Sequence, residues 1–252
     1  VDNAGFRDAA RAQESFLAPL EKRALVWLAR RLPGWVHSDH LTLAGFLAMA
    51  GAGASYWLAH YDRRFLLAGI VCLAVNWLGD SLDGTVARVR NRLRPRYGFY
   101  VDHITDAFGT FFLLAGLALS PHMSAWIAAG LLIAYFMLSI EVYLATYSLG
   151  TFQLSFWKFS PTELRALLMA GNIALFYRPV VRPFGKQYLL FDIGGLCGIV
   201  GIAAMLIVTA VRHTIILYRA ETPRDSAGHV GSRPAGNPTR RSIPSAPQAA
   251  SH

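Results

Sequence analysis

Cysteine is nearly absent: the 252-residue chain holds two, Cys72 and Cys197. Both fall inside apolar runs, so there is no disulfide framework and each reads as a small buried apolar residue. Charge is scarce too. Asp, Glu, Lys and Arg make up 15% of the residues against 54% hydrophobic. Mean hydropathy is +0.36, a composition that excludes an ordinary soluble domain and fits a polytopic membrane protein. The scarcest charge is negative, with 15 acidic residues against 24 basic ones and a net charge of +9. The basic residues are not interleaved with aromatics. The excess therefore reads as attraction to an anionic membrane surface and cytoplasmic retention, with no nucleic-acid partner. Internal repeats are missing, as is any apolar leader with a cleavage pattern. Strand-like alternation is also missing. Helix breakers punctuate the apolar runs, which argues against a barrel.

What is present is a series of apolar runs long enough for helices. A bilayer span needs ~20 predominantly apolar residues, and six segments qualify: about 41–60, 65–87, 98–119, 124–146, 163–177 and 188–211. The expected fold is all-α, a polytopic membrane protein of six transmembrane helices with an N-terminal interfacial amphipathic helix. That first helix covers about 16–32, where Phe16, Leu20, Ala24, Trp27 and Leu28 follow helical spacing away from Glu21, Lys22, Arg23 and Arg30. Pro33-Gly34 ends it. Three regions follow: a cytoplasmic N-terminal segment (1–40), a six-helix catalytic domain (41–218) and a basic cytoplasmic tail (219–252). The tail, from about residue 221, is rich in Ser, Pro, Gly, Ala and Arg and is expected to be disordered. With both termini in the cytoplasm, 19 of the 24 basic residues lie inside, as the positive-inside rule asks.

The chemistry concentrates at the cytoplasmic mouths of the second and third spans. Asp80-Ser-Leu-Asp83-Gly84-Thr-Val-Ala87-Arg88 is followed by Gly98-Phe-Tyr-Val-Asp102-His-Ile-Thr-Asp106. On a helix Asp80 and Asp83 share a face, as do Asp102 and Asp106. Gly84 and Ala87 continue the first face and Gly98 sits one turn before Asp102. A carboxylate near mid-membrane costs about 2.5–3.5 kcal/mol on insertion scales. Two of them ~6 Å apart repel by roughly 3 kcal/mol at an effective dielectric near 20. Four together call for cations, and all-oxygen ligation suits Mg²⁺ or Mn²⁺.

These residues resemble the signature of the CDP-alcohol phosphotransferases (CDP-alcohol phosphatidyltransferases), integral-membrane enzymes of phospholipid biosynthesis. All eight defining positions of D-x-x-D-G-x-x-A-R … G-x-x-x-D-x-x-x-D are present, across about a tenth of the chain. One departure lies between the two halves, where nine residues separate Arg88 from Gly98 and the family usually has eight. The extra residue falls in the Arg-rich turn containing Pro95. The resemblance implies transfer of a phosphoalcohol group from a CDP-alcohol donor, commonly CDP-diacylglycerol, to the hydroxyl of a small alcohol acceptor, with release of CMP. It implies two Mg²⁺ (or Mn²⁺) ions held by Asp80, Asp83, Asp102 and Asp106, with Asp106 as the general base. Gly84, Ala87 and Gly98 would admit the nucleotide, and Arg88 would contact phosphate or CMP. A homodimer in a bacterial or archaeal cytoplasmic membrane, with the site facing the cytoplasm, completes the expectation.

Other polar residues in apolar surroundings are weaker candidates. Thr42 stands where the family often carries the Thr of a Pro-Asn-x-x-Thr-like segment; Asp39 replaces the Asn and is expected to cap the first span. Thr85 can bond a phosphate or its own backbone carbonyl. Ser160-Pro161-Thr162-Glu163 opens the fifth span with a capping pattern, and the nearby Lys158 and Arg165 offer positive charge to substrate or to lipid headgroups. Glu141 is expected either to line an acceptor pocket or to pair with Arg165. Asp192 lies near the outer face with no visible partner, and His103 projects away from Asp102, either packing or supporting a ligand from behind and not itself a ligand. The thin basic supply favours a neutral or zwitterionic acceptor. Two other readings stay open: a membrane prenyltransferase with a Mg-diphosphate site, and an ion-coupled transporter.

Overall fold

The computed structural model describes residues 18–149, 161–182 and 185–221. Seven helices and one small hairpin occur among them. In chain order they are α1 (Ala18–Arg31), α2 (Ser38–Leu58), α3 (Phe65–Val89), α4 (Pro95–Ala118), α5 (Ala125–Leu149) and α6 (Pro161–Tyr177), then β1 (Val180–Val181), β2 (Tyr188–Leu189) and α7 (Leu190–Ala220). The strands pair antiparallel, Val180 with Leu189 and Val181 with Tyr188, and close the α6–α7 connection. The all-helical expectation thus holds apart from this two-residue ladder.

Four helices are long and apolar enough to cross a membrane, namely α2, α3, α5 and α7, which makes the chain an integral membrane protein. Six were expected. α4 has the length, but Asp102, His103 and Asp106 in its first half dilute its apolar character. α6 has 17 residues, of which Arg165–Tyr177 are the apolar part. α7 runs nine residues past the expected end at 211, carrying Arg212, His213 and Arg219 beyond the apolar stretch.

Small residues decide how the site-bearing helices meet. α2 packs on both α3 and α4. A Cβ on Gly53 would run into the Phe112 carbonyl, and one on Gly116 into the Gly53 backbone, so α2 and α4 touch backbone to backbone. At the α2–α3 crossing a Cβ on Gly79 would lie 2.8 Å from the Leu41 carbonyl oxygen and 3.1 Å from Gly45 Cα. Such small-residue contacts take the place of the hydrophobic effect, which is weak between helices in lipid. Two buried polar bonds fix the rotations: Asn76 donates to the Gly45 carbonyl at 3.1 Å, and Asn172 of α6 donates to the Tyr56 hydroxyl at 2.7 Å. Tyr56, Leu66, Leu73, Leu117 and Leu175 are fully buried around them.

α1 lies against the far end of α3. Its Leu25, Leu28 and Ala29 pack on Leu82 and Val86. Arg90 then clamps the turn that follows: its guanidinium donates to the carbonyls of Leu32 (2.9 Å), Pro33 (3.0 Å) and Val36. Carbonyls left over at a helix C-terminus are satisfied in this way. α3 itself stops where Asn91 takes φ +53°, a left-handed conformation that Asn tolerates. Pro95 opens α4 at a position where its missing N–H is harmless.

Candidate active site

Because glycine lets α2, α3 and α4 approach so closely, the polar ends of α3 and α4 converge. Asp80 of α3 and Asp102 and Asp106 of α4 bring one carboxylate oxygen each to within 4.8 Å of one another, all half-buried. At that separation each ionised pair repels by about 3.5 kcal/mol at an effective dielectric near 20. Positive charge is drawn in to offset this: Arg165, at the start of α6, donates to Asp80 Oδ2 at 2.7 Å with only 13% of its side chain exposed. An all-oxygen donor set of this size fits a hard divalent cation.

Asp83 stands outside that trio. Its carboxylate accepts from the Thr42 hydroxyl at 2.7 Å and from the Gly84 N–H at 2.5 Å. Thr42 therefore ties the start of α2 to the acidic face of α3. Gly84 and Gly98 differ from the packing glycines: a Cβ on either would meet nothing within 4 Å. Glycine weakens a helix by up to about 1 kcal/mol relative to alanine, and here no neighbouring helix requires it. Ala87 is half-buried and Arg88 exposed. Thr85 donates to its own turn, at the Ser81 carbonyl (2.9 Å).

His103 packs beside the trio and is not turned away from Asp102. Its Nδ1 donates to the Phe99 carbonyl at 2.6 Å, its ring stacks on Phe99 at 4.1 Å, and the Asp102 carboxylate lies 3.7 Å away. Two residues of α5 escaped the sequence reading. Tyr135 and Tyr143 lie within electrostatic reach of Asp106. Their signal was a polar stripe, Tyr135, Ser139 and Tyr143 at i, i+4 and i+8 of an otherwise apolar helix.

Three other expectations need correction. Asp39 does not cap α2; His37 holds the N-cap position, and Asp39 instead pairs with Arg94 in the basic α3–α4 linker. An ion-pair partner on another segment outcompetes a local backbone bond. Glu141 does not pair with Arg165. It accepts from His213 Nδ1 of α7 at 2.6 Å, while Arg165 is taken by Asp80. Asp192, expected without a partner, accepts the Ser124 N–H (2.6 Å) and hydroxyl (2.5 Å) and so joins α7 to the start of α5. Lys158, most of the tail and residues 1–17 lie outside the described residues.

A comparison with curated protein sequences found no match. The family model for CDP-alcohol phosphatidyltransferase matches residues 35–216, which leaves the prenyltransferase and transporter readings without support. Those residues take in α2 to α6 and α7 as far as Ile216, with Asp80, Asp83, Asp102 and Asp106 among them, and the chain belongs to the CDP-alcohol phosphatidyltransferase family.

Proposed function

We propose that this protein transfers a phosphatidyl group from CDP-diacylglycerol to the hydroxyl of a small alcohol in phospholipid biosynthesis, releasing CMP. The family moves phosphoalcohol groups from CDP-alcohol donors to alcohol acceptors and generally uses a divalent metal. One observation carries the finer reading: Asp80, Asp102 and Asp106 converge on the two helices whose glycines Gly84 and Gly98 face open space. A cation-binding cluster beside bare backbone is what a nucleoside diphosphate needs.

Two Mg²⁺ (or Mn²⁺) ions held there would neutralise the diphosphate and stabilise attacking and leaving oxygens together. The remaining work falls to side chains. Asp80, Asp102 and Asp106 would hold the ions, and Asp83, oriented by Thr42, would complete the set. Gly84, Ala87 and Gly98 would admit the nucleotide, with Arg88 on its phosphate. Asp106 takes the proton of the acceptor hydroxyl as that oxygen bonds to the β-phosphorus. The bond from the β-phosphorus to the bridging oxygen breaks, and CMP leaves with that oxygen. The reading includes a homodimer in a bacterial or archaeal cytoplasmic membrane, with the site facing the cytoplasm. The basic α3–α4 linker supports that orientation. So does α1, which carries Lys22, Arg23, Arg30 and Arg31 along one side with the Arg31 guanidinium 4.0 Å over the exposed Trp27 ring, a surface suited to anionic headgroups.

The test is CMP release by purified protein in lipid with CDP-diacylglycerol, Mg²⁺ and a panel of alcohols, beside Asp106→Asn. Metal-dependent release with one acceptor, lost in the variant, is expected. Cytidine-nucleotide binding without release from any acceptor would reject the donor or the panel; neither binding nor release would reject the transferase reading.

A further inference from the structure

The Arg165–Asp80 pair lies inside the cluster that would hold the metal, and the two roles of Asp80 conflict. Its carboxylate belongs to the trio gathered within 4.8 Å, yet Oδ2 already carries the Arg165 guanidinium at 2.7 Å. A charge-assisted bond of that length is a strong one, and a guanidinium beside the cluster also repels an incoming dication. The pair is 85 residues apart in sequence and joins α6 to α3, so the contact comes from the fold and not from local helix geometry.

Resting on the metal-dependent reading above, we infer that Arg165 is a displaceable counter-ion: it occupies Asp80 in the metal-free protein and yields it when a divalent ion enters. The exchange solves a folding problem. Three carboxylates at this spacing repel, and a built-in cation lets the bundle assemble before any ion arrives. It also gives the metal a second effect. Arg165 released from Asp80 remains at the site as a free planar donor, suited to a phosphate oxygen of the substrate. Metal binding would thereby prepare the anion site, and the coupling is reciprocal by thermodynamic necessity. If Arg165 served only to tether α6 to α3, it would stay on Asp80 with the metal bound, and its chemical reactivity would not respond to the ion.

Two measurements on full-length protein in detergent, without nucleotide, test this. Mn²⁺ binding is titrated by electron paramagnetic resonance for the wild type, Arg165→Gln, Arg165→Lys and Asp102→Asn. Removing the competitor should tighten Mn²⁺ binding in Arg165→Gln by about tenfold, the lower end of what a hydrogen bond to a charged group is worth. Arg165→Lys should stay near the wild type. In parallel, phenylglyoxal modification of wild-type Arg165 is followed by peptide mass spectrometry and should accelerate when Mn²⁺ is added. The second measurement needs no variant, so it stands even where Arg165→Gln does not fold. Mn²⁺ affinity unchanged or weakened in a folded Arg165→Gln overturns the exchange, as does Arg165 modification that ignores Mn²⁺. Wild-type protein that binds Mn²⁺ only through Asp102 while failing both tests keeps the metal reading and rejects the exchange. Wild-type protein that binds no Mn²⁺ rejects both.

Discussion

Gly84→Ala separates a structural glycine from a ligand-facing one by the sign of its effect. Gly84 lies inside α3, and a Cβ there would meet nothing within 4 Å. The substitution should therefore stabilise the nucleotide-free protein by about 0.5–1 kcal/mol through helix propensity alone. For a chain of this size that is a rise of about 1–3 °C in Tm. With nucleotide the order should reverse. CDP at 100 times its wild-type Kd stabilises the wild type by about 2.7 kcal/mol. A methyl forced into the space the nucleotide uses costs about 2 kcal/mol, weakening binding about 30-fold. The same CDP concentration then stabilises the variant by only about 0.9 kcal/mol. The assay is thermal unfolding in detergent with Mg²⁺, with and without CDP. A variant that melts lower than wild type without CDP would refute the claim that Gly84 faces open space. A variant protected by CDP as strongly as wild type would refute its role at the nucleotide.

Gly53→Ala should do the opposite. Its Cβ would overlap the Phe112 carbonyl, and forcing α2 and α4 apart should cost about 1–3 kcal/mol or more, read as a lower Tm with or without nucleotide; an unchanged Tm would show that the backbones are not in contact. Thr42→Val removes the 2.7 Å bond to Asp83 while keeping the side chain's shape. CMP release should fall by roughly tenfold or more, since hydrogen bonds to charged groups are worth about 1.5–3 kcal/mol; wild-type turnover would mean that Thr42 does not orient Asp83. His122, in the α4–α5 loop, has its pKa pushed down by burial and, secondarily, by Arg63. A His whose folded pKa lies below the unfolded ~6.5 binds fewer protons folded than unfolded, so stability is complete above that value and falls as pH drops toward the lowered one. Tm should drop more between pH 7.5 and 5.5 in the wild type than in His122→Asn, and equal drops would show that His122 contributes nothing.

The four aspartates were legible because helical spacing puts each pair on a face, and charge alone says that carboxylates gathered so closely favour positive charge beside them. Which of them converge was not legible. Three residues along a helix turn the side chain by 300°, so Asp83 sits about 60° round from Asp80 and one rise of ~4.5 Å along. That offset is enough for Thr42 of α2 to take Asp83 while Asp80 turns to Asp102, Asp106 and Arg165. The rotation that decides it is set by the Gly45–Gly79 approach and the Asn76 bond, neither of which leaves a periodic trace. Partner choice failed for the same reason: Asp39, Glu141 and Asp192 each found a partner on a different element, 55, 72 and 68 residues away.

Glycine shows where such reading stops, and why. Gly79 and Gly84 lie five residues apart on the same helix, α3. Gly79 is buried against Leu41 and Gly45 of α2, while Gly84 faces nothing. Helical phase alone cannot distinguish a missing side chain that lets another helix in from one that lets a ligand in, because both empty the same volume. The two part company in energy. A packing glycine returns its propensity cost as backbone contact in the folded protein, so alanine there destabilises. A ligand-facing glycine returns nothing until the ligand binds, so alanine there stabilises the free protein. On the proposed reading, Gly84 and Gly98 are glycines of the second kind: neither has a neighbour to lose, a property they share with Gly194 and Gly201 of α7, so openness needs the nearby carboxylates to point to a ligand.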